Sequence, residues 1–318
     1  MKMRNLLLIG GTGFLGSHLA YRLGSQGISL TLPTRRRERA RHLLPLPTAT
    51  VIEADVSDPA TLARLMTGQD AVINLVGILA GGTGKPYGRG FSSAHVELPR
   101  KIIAAMQAAG VKRLLHVSAL RAAADAPSGY LRSKAAGEEV VLGANGIDAT
   151  IFRPSVIFGE GDGFLNLFAR LLRIAPLMPL ACPDARFQPV WVEDVAASMA
   201  MSLSKPESIG QTYDLGGPRQ YTLRQLVEYV GSVTGHRRPV LGLPDALAYL
   251  QAWAMEFVPG APMSRDSYHS MQIPSLCEAD SSMPFGIAPT ALEAVAVSTL
   301  TDVRARARYD EFRAKARR

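Results

Sequence analysis

The sequence predicts an α/β fold in which helices cover both faces of a doubly wound parallel sheet. Short, continuous apolar runs recur along the first half of the chain, and helical patterns separate most of them. A glycine-rich turn follows the first of these runs. After about residue 153 the alternation ends, and prolines occur at positions 154, 176, 179, 183 and 189. We therefore expect a smaller C-terminal portion of mixed structure that faces a substrate or a partner.

The predicted strands are apolar runs whose length suits strands buried on both faces of a sheet. Because both faces are buried, these strands need no alternation of polar and apolar residues. They are residues 6–9, 28–32, 50–53, 71–76, 114–117 and 149–152.

Start and stop signals place several helices between and after these strands. Asp58 followed by Pro59 is typical of an N-cap and a first-turn proline. Gly110 ends an alanine-rich crossover helix, and Thr222 with Gln225 predicts a capping box at the start of a later helix. Residues 187–200 predict a short strand and then a helix.

The glycine-rich turn has the context of a phosphate-binding loop, because it lies between a predicted strand and a helical pattern. Glycines let the backbone turn tightly and approach a pyrophosphate, whose charge meets free amides and the positive end of the helix dipole. The expected cofactor contacts in this loop are Gly10, Thr12, Gly13, Phe14, Leu15 and Gly16.

A second motif, in the middle of the chain, places Tyr130 four residues before Lys134. On a helix these two side chains share one face, about 5–6 Å apart at their Cβ atoms. The ammonium then favours the phenolate and lowers the pKa of Tyr130, so that the hydroxyl can act as a general acid or base. The motif follows the strand ending at Val117, where a doubly wound sheet presents its ligands.

Together these motifs resemble the short-chain dehydrogenase/reductase superfamily in its extended or atypical form. A closer resemblance is to the family of the NADPH-binding accessory subunit of respiratory complex I and its bacterial relatives. The resemblance covers nearly the whole chain, and it rests on blocks at residues 73–77, 128–135, 153–159, 164–166 and 189–195.

We accordingly expect a Rossmann domain that binds NADP(H) at residues 1–153. Residues 187–204 should return to that domain, and residues 154–318 should form the smaller C-terminal region for substrate or partner. The resemblance also implies cofactor contacts beyond the glycine loop. These are Asp55 and Val56 beside the adenine, Asn74, Val76 and Gly77 along the cofactor, Tyr130 and Lys134 at the ribose, and Arg153 and Pro154 near the nicotinamide.

One departure from the superfamily pattern bears on activity. The resemblance implies a Ser or Thr that binds the substrate oxygen just past the strand preceding the tyrosine. Here Ser118 is the only hydroxyl in residues 118–121, and extended members more often carry it at the position of Leu120. Ser118 therefore stays a candidate catalytic residue beside Tyr130 and Lys134, with the alternative that it merely ends the strand.

The cofactor preference follows from the charge after the second strand. NAD-binding proteins place an acid there for the ribose 2′-hydroxyl, whereas a 2′-phosphate needs a cation. This chain has Arg35 and Arg36, and no acid until Glu38. Guanidinium groups bind phosphate through planar, bidentate hydrogen bonds. We therefore expect NADP(H) to be preferred, with NAD(H) as the alternative.

Composition excludes several classes of function. The net charge of +8 comes from two local segments, residues 35–41 and 301–318, so we expect no nucleic-acid-binding face. The six histidines and two cysteines have no metal-ligand spacing, and we expect no metal site. No run approaches the ~20 apolar residues of a transmembrane helix. We interpret the first apolar run as a strand, not a signal peptide, and expect a cytoplasmic protein.

Residues 244–257 predict an amphipathic helix, with Leu247, Leu250, Trp253 and Phe257 on one side. This helix either packs on the protein's own core or docks on a membrane or a membrane partner. The resemblance to the complex I family places the region near a membrane domain, together with the arginine-rich tail. A peripheral position at the inner face of the membrane is thus an alternative to a purely cytoplasmic one.

The leading hypothesis is an NAD(P)H-binding protein of the short-chain dehydrogenase/reductase type, with weak oxidoreductase activity or an unknown substrate. One alternative is an NAD-dependent nucleotide-sugar epimerase or dehydratase, which fits the fold but not the arginines or the missing hydroxyl. The other is a structural or assembly factor for a respiratory or quinone-related membrane complex. Fold alone does not choose among them.

Overall fold

The computed structural model describes residues 3–258, 263–278 and 283–300. The basic tail at residues 301–318 lies outside the described residues. Strands are numbered here in chain order. They are β1 Asn5–Ile9, β2 Ser29–Thr34, β3 Ala49–Glu53, β4 Ala71–Asn74, β5 Arg113–Val117, β6 Asp148–Pro154, β7 Ile157–Phe158, β8 Met178–Leu180, β9 Arg186–Phe187, β10 Val190–Trp191, β11 Thr212–Leu215, β12 Tyr221–Thr222 and β13 Val240–Gly242.

Helices are numbered in the same way. They are α1 Phe14–Ser25, α2 Pro59–Met66, α3 Arg89–Phe91, α4 Leu98–Ala109, α5 Gly129–Leu142, α6 Leu165–Ile174, α7 Val192–Ser202, α8 Leu223–Val233, α9 Asp245–Met255, α10 Arg265–Ser270 and α11 Leu292–Leu300. A π-helical segment, Ser92–Glu97, joins α3 to α4, and a 3-10 helix, Arg37–Leu43, follows β2.

A seven-stranded sheet with the order β11-β6-β5-β4-β1-β2-β3 forms the centre of the molecule. All its neighbouring strands pair in parallel, with Leu8 of β1 opposite Ile73 of β4. The predicted doubly wound parallel sheet is therefore confirmed. The chain reverses its direction of winding between β1 and β4, and ligands of such sheets bind in the crevice at that point.

Each face of the sheet has its own apolar core because successive strand residues point to opposite sides. On one side, Leu6 and Leu8 pack with residues of α1 and α7. On the other, Leu7 and Ile9 pack with residues of α2, α4 and α5. Continuous burial from Leu6 to Ile9 explains why this part of β1 is apolar without alternation.

The local signals at three helix ends are confirmed. The Asp58 side chain accepts hydrogen bonds from backbone amides at the start of α2. Gly110 adopts a left-handed conformation, with φ of 72°, at the end of α4. Thr222 and Gln225 form the reciprocal capping box of α8.

The C-terminal portion adds a third apolar core, built from α6, α8 and α11 together with β8. Three two-stranded sheets join its parts, and they pair β7 with β10, β9 with β12 and β8 with β13. Within this half of the sequence, α7 packs against α1 and β11 completes the central sheet beside β6. In the described part of the chain, no helix is long and apolar enough to cross a membrane.

Helix α9 leaves most of its apolar side chains exposed. Only Ala248 and Ala252 are buried, whereas Leu247, Leu250 and Trp253 are about half exposed, at 51%, 53% and 44%. The alternative in which this apolar side packs on the protein's own core is therefore wrong. The helix rests on the body of the protein through its alanines and turns its larger apolar side chains outward.

Candidate cofactor and substrate site

The glycine loop joins β1 to α1 and lies against the end of β4. Gly10 has a φ of 83°, a conformation that favours glycine, and a Cβ added there would lie 3.3 Å from the amide nitrogen of Val76. A Cβ on Gly16 would lie 2.5 Å from the carbonyl oxygen of Gly10. Glycine at these positions therefore lets the first turn of α1 sit directly on the loop, beside the crevice of the sheet.

The start of α1 suits an anion. No side chain of the described residues caps this helix, and Gly13 precedes it in an extended conformation. The first amides of a helix lack partners within it and carry a partial positive charge. The Leu15 side chain is buried in the apolar core, so only its backbone amide is available to a cofactor. The loop therefore fits a pyrophosphate, as the sequence predicts.

Two cations lie at the end of β2, where the sequence predicts the 2′-position of the cofactor. Arg35 and Arg36 are exposed, and neither guanidinium forms a hydrogen bond or ion pair with another described residue. The amide of Ser57 donates to Oδ1 of Asp55 at 2.9 Å, and this hydrogen bond lowers the pKa of Asp55. Arg35 lies near enough to lower that pKa further.

Lys134 of α5 is 3% exposed and its ammonium lies between the ends of β4 and β5. Nζ donates to the carbonyl of Val117 at 3.1 Å and to that of Val76 at 3.4 Å. A Cβ added to Gly77 would lie 3.3 Å from Nζ, so the glycine leaves the ammonium uncovered. An ammonium has three donors, and one therefore remains for a ribose hydroxyl. Burial lowers the pKa of Lys134 to about 8, while Glu138 acts in the opposite direction.

Tyr130 lies one turn before Lys134 on α5, and its ring packs edge-on against His95. Burial raises the pKa of Tyr130 to about 12, so the lowering predicted from its spacing to Lys134 is not observed. The physical reason is that the phenol lies among apolar and aromatic groups, where its charged form loses hydration. At neutral pH the hydroxyl is a proton donor.

A neutral histidine supports the backbone of Tyr130. The Nε2 atom of His95 accepts from the amide of Ile78 at 3.1 Å, so Nδ1 carries the proton. Nδ1 lies 2.8 Å from the Ser133 hydroxyl, which in turn donates to the Tyr130 carbonyl at 2.7 Å. Burial lowers the pKa of His95 to about 2, and Lys134 lowers it further, so the ring stays neutral.

The side chain of Asn74 points into the protein rather than into the crevice. Its Nδ2 lies 3.1 Å from Nδ1 of His116, and its Oδ1 accepts from the amide of Val76 at 3.2 Å. Asn74 is 1% exposed. It therefore shapes the turn that presents Val76 and Gly77, and its own contact with a cofactor stays a prediction.

Arg153 is paired within the protein. Its guanidinium forms a bidentate ion pair with Glu138, which is 4% exposed and lies one turn beyond Lys134 on α5. The neighbouring Pro154 lines a cavity at the end of β6, next to Tyr130. A role of Arg153 and Pro154 at the nicotinamide stays a prediction. The ion pair with Glu138 also gives Arg153 a structural role, because it joins β6 to α5.

Ser118 is 3% exposed, and its hydroxyl finds no hydrogen-bond partner among the described residues. It lies at the end of β5, directly after Val117, whose carbonyl receives Lys134. Leu120, where the resemblance to extended members of the superfamily predicts the hydroxyl, is buried and lines the cavity beside Tyr130. An apolar group therefore stands where a substrate-binding hydroxyl would be expected.

The cavity that contains Tyr130 has a volume of about 310 Å³ and lies between the central sheet and the C-terminal portion. Most of its wall consists of leucine, methionine, phenylalanine and alanine side chains. It opens at the carboxyl ends of β5 and β6, where doubly wound sheets bind their ligands. The geometry therefore brings the tyrosine, the buried lysine and an apolar chamber together.

Asp266, in α10, is a functional candidate that no sequence pattern predicts. Its carboxylate accepts from the amides of Gly129 and Tyr130, the first residues of α5, at 2.6 and 3.0 Å. The residue belongs to a six-residue helix far along the chain, and no sequence motif marks it. Only the fold brings it to the start of the helix that carries Tyr130.

The sequence matches the NAD dependent epimerase/dehydratase family over residues 6–216. This stretch includes the glycine loop, the helix of Tyr130 and Lys134, and nearly all of the central sheet. The chain belongs to this family. Its Rossmann fold is that of the family, as the resemblance to the short-chain dehydrogenases and reductases implies.

Two curated relatives extend the similarity beyond the Rossmann domain. The mouse mitochondrial protein NADH dehydrogenase (ubiquinone) 1 alpha subcomplex subunit 9 is 31% identical over 307 residues, covering 92% of this chain and 78% of its own. Ceramide reductase from Caulobacter vibrioides is 30% identical over 258 residues, covering 78% of this chain and 77% of its own. The resemblance to the complex I accessory subunit family is thus confirmed.

Solved structures confirm the fold. DesIV from Streptomyces venezuelae, a dTDP-glucose 4,6-dehydratase solved with NAD and TYD bound, matches this chain with a TM-score of 0.74. The match covers 93% of this chain and 95% of DesIV at 20% sequence identity. Such a match extends to the C-terminal portion as well as to the sheet.

Proposed function

We propose that this protein is an NADP(H)-dependent oxidoreductase of the short-chain dehydrogenase/reductase type. The observation that carries the cofactor preference is the pair Arg35 and Arg36, directly after β2, whose exposed guanidinium groups form no hydrogen bond or ion pair with another described residue. A 2′-phosphate there would receive charge-assisted, bidentate hydrogen bonds, and no acid in the loop repels it before Glu38.

In this proposal the rest of the cofactor lies along the crevice between β1 and β4. The backbone from Gly10 to Gly16 holds the pyrophosphate, because its glycines allow close approach and the amides of α1 are open. Asp55 and Val56 lie on the adenine side. The free N–H of Lys134 binds a ribose hydroxyl beside Val76 and Gly77.

The chain's own residues supply the proton chemistry. When bound, the nicotinamide gives or takes a hydride. Tyr130 donates the proton to the substrate oxygen in the direction of reduction, because its raised pKa keeps the hydroxyl protonated. Asp266 holds the backbone of Tyr130 in place, and the ammonium of Lys134 positions the ribose one turn further along the same helix. Ser118 stays a candidate for orienting the substrate oxygen.

The direct test is an equilibrium titration of the purified protein with NADPH and with NADH at pH 7, followed by nucleotide fluorescence. We expect NADPH to bind at least ~10-fold more tightly, the ratio that one charge-assisted hydrogen bond provides. Tighter binding of NADH, or no binding of either nucleotide, would remove the basis of the proposal.

A second candidate function is a structural role beside a membrane-associated respiratory or quinone-related complex, at the inner face of the membrane. The exposed apolar side of α9 favours it, since Leu250 and Trp253 offer a docking surface. The relative named as a subunit of NADH dehydrogenase adds support by similarity. In cells lacking the protein, Tyr130→Phe should then restore function whereas Gly13→Asp should not. Equal loss from both substitutions would count against a structural role.

A further inference from the structure

We propose that the cavity beside Tyr130 binds a lipid-like carbonyl compound or secondary alcohol rather than a nucleotide sugar. The assignment of Tyr130 as the polar end of this site rests on the proposed function. The chemical class of the ligand rests on the cavity itself.

The size and composition of the cavity fit an apolar body. Its volume of about 310 Å³ lies in the range of small-molecule sites. Helix α6 contributes Leu167, Phe168 and Leu171, and strand β8 contributes Met178 and Leu180. Burying apolar ligand surface against such walls is favourable because it removes that surface from water.

The polar groups of the wall are mostly engaged within the protein. The carboxylate of Asp266 accepts the two amides at the start of α5. The hydroxyl of Ser155 donates to the carbonyl of Ser275 at 2.9 Å. The Tyr130 hydroxyl has no hydrogen-bond partner among the described residues, and it can meet a ligand oxygen. The cavity thus offers the Tyr130 hydroxyl to a ligand oxygen, within a wall that is mostly apolar.

The cavity wall offers few groups that could bind a nucleoside diphosphate. Diphosphates are bound by several cations or by bidentate arginines. Among the described residues that line the cavity, Arg121 is the only cation, and it lies exposed at the rim beside Leu120. A sugar ring would also leave its hydroxyls against leucine and methionine, and unpaired buried polar groups are costly.

Helix α9 links the cavity to an apolar outer surface. Gln251 and Met255 line the cavity, while Leu247, Leu250 and Trp253 on the same helix are exposed. An apolar ligand therefore meets apolar surface outside the protein as well as inside it. Apolar surface on both the cavity side and the outer side of this helix suits a poorly water-soluble compound.

The test uses the full-length protein and a series of methyl ketones, 2-pentanone, 2-octanone and 2-undecanone, with UDP-glucose as the competing class. Binding is measured by isothermal titration calorimetry with and without NADPH. Each buried methylene should tighten binding about four-fold, so 2-undecanone should bind at least ~100-fold more tightly than 2-pentanone. UDP-glucose should show no binding that competes with 2-undecanone.

A matched pair of variants locates the site. Leu167→Asp places a charge in the cavity wall, at a residue outside the main apolar cores. Ile174→Asp makes the same change on the same helix at a side chain that is 79% exposed. We expect Leu167→Asp to weaken 2-undecanone binding at least ~10-fold and Ile174→Asp to change it less than ~2-fold, because an apolar chain avoids a buried charge.

The NADPH titration of the same preparations separates this inference from the proposed function. If the affinity for the ketones rose with their chain length but NADPH did not bind, the apolar site would be supported and the oxidoreductase proposal would be wrong. Equal affinity for all three ketones in the wild-type protein would overturn the inference even if Leu167→Asp failed to fold. Tighter binding of UDP-glucose than of 2-undecanone would overturn it as well.

Discussion

Asp266 fixes the start of the helix that carries Tyr130. Its Oδ1 accepts from the amide of Gly129 at 2.6 Å, and its Oδ2 accepts from the amide of Tyr130 at 3.0 Å. The Ser128 hydroxyl accepts from the next amide, that of Leu131, at 3.2 Å. Three amides that the helix itself leaves without partners are thereby satisfied. The C-terminal portion, through α10, thus sets the position of the tyrosine.

Replacing Asp266 with Asn should destabilise the protein by about 1–2 kcal/mol, the usual effect of losing a charged cap at a helix start. The amide keeps one acceptor but turns a donor toward a backbone N–H. Urea unfolding measures the change. The control is Asp125→Asn at an exposed position, which should stay within about 0.5 kcal/mol of wild type. Equal effects of the two substitutions would contradict the capping role.

No reading of the sequence could have found this contact. Asp266 and Gly129 are separated by 137 residues, and α10 is a short helix without a recognisable motif. The glycine loop and the Tyr130–Lys134 pair are different, because their chemistry depends on spacing within one loop or one helix. Local spacing is encoded in the sequence, whereas contacts between distant elements depend on how the two portions pack.

The buried ammonium of Lys134 should make stability rise with pH. Burial lowers its pKa from the ordinary 10.5 to about 8. Between these values the unfolded chain keeps the proton while the native protein has lost it, so the native state binds fewer protons and gains stability as pH increases. The full effect of such a shift is about 3 kcal/mol.

Urea unfolding of the wild type and of Lys134→Met at pH 7.0 and pH 9.5 tests this expectation. The wild type should gain about 2 kcal/mol relative to the variant between the two pH values. Ionisations elsewhere cancel in the comparison, because both proteins contain them. Parallel stability profiles for the two proteins would show that the ammonium is not held in a poorly hydrated site.

The buried ion pair between Glu138 and Arg153 connects α5 to β6. Removing the charge of Glu138 leaves the guanidinium without its partner, and breaking a buried pair is strongly destabilising. Because the Arg153 side chain is 31% exposed, we expect Glu138→Gln to lower the free energy of unfolding by only about 2 kcal/mol, less than breaking a fully buried pair. The exposed neighbour Glu139→Gln is the matched control for thermal unfolding. If Glu138→Gln lowered the stability no more than Glu139→Gln, water would solvate the Arg153 guanidinium as well as Glu138 does.

Gly16 should tolerate no side chain. A Cβ there would approach the carbonyl oxygen of Gly10 to 2.5 Å and the Cα of Gly11 to 2.6 Å, and both are backbone atoms that cannot rotate away. We expect Gly16→Ala to displace the loop and to weaken nucleotide binding at least ~10-fold, because misplaced amides lose their charge-assisted hydrogen bonds. Gly163→Ala, where a Cβ meets no atom within 4 Å, is the control. Unchanged binding in Gly16→Ala would argue against a phosphate-binding loop.

The sheet shows where sequence patterns succeed and fail. Six strands were predicted from their apolar runs, which reflect burial on both faces. The seventh, β11, has the sequence Thr212-Tyr213-Asp214-Leu215 and only its last residue is buried. This strand was not predicted, because an edge strand is half solvated and therefore needs no apolar run. For α9, the amphipathic pattern was correct, but periodicity does not tell which side of a helix meets the protein.

We propose that Arg35 and Arg36 select the cofactor, and the most direct test measures the ratio of NADPH to NADH dissociation constants in matched double variants. In Arg35→Ser/Arg36→Ser we expect NADPH binding to weaken at least ~10-fold while NADH binding changes less than ~3-fold, because only the 2′-phosphate loses its partners. Arg37→Ser/Arg39→Ser removes the same charge from exposed positions in the adjoining 3-10 helix and should leave the ratio unchanged. A ratio that rises equally in both double variants, or that rises in neither of them, would contradict this role of Arg35 and Arg36.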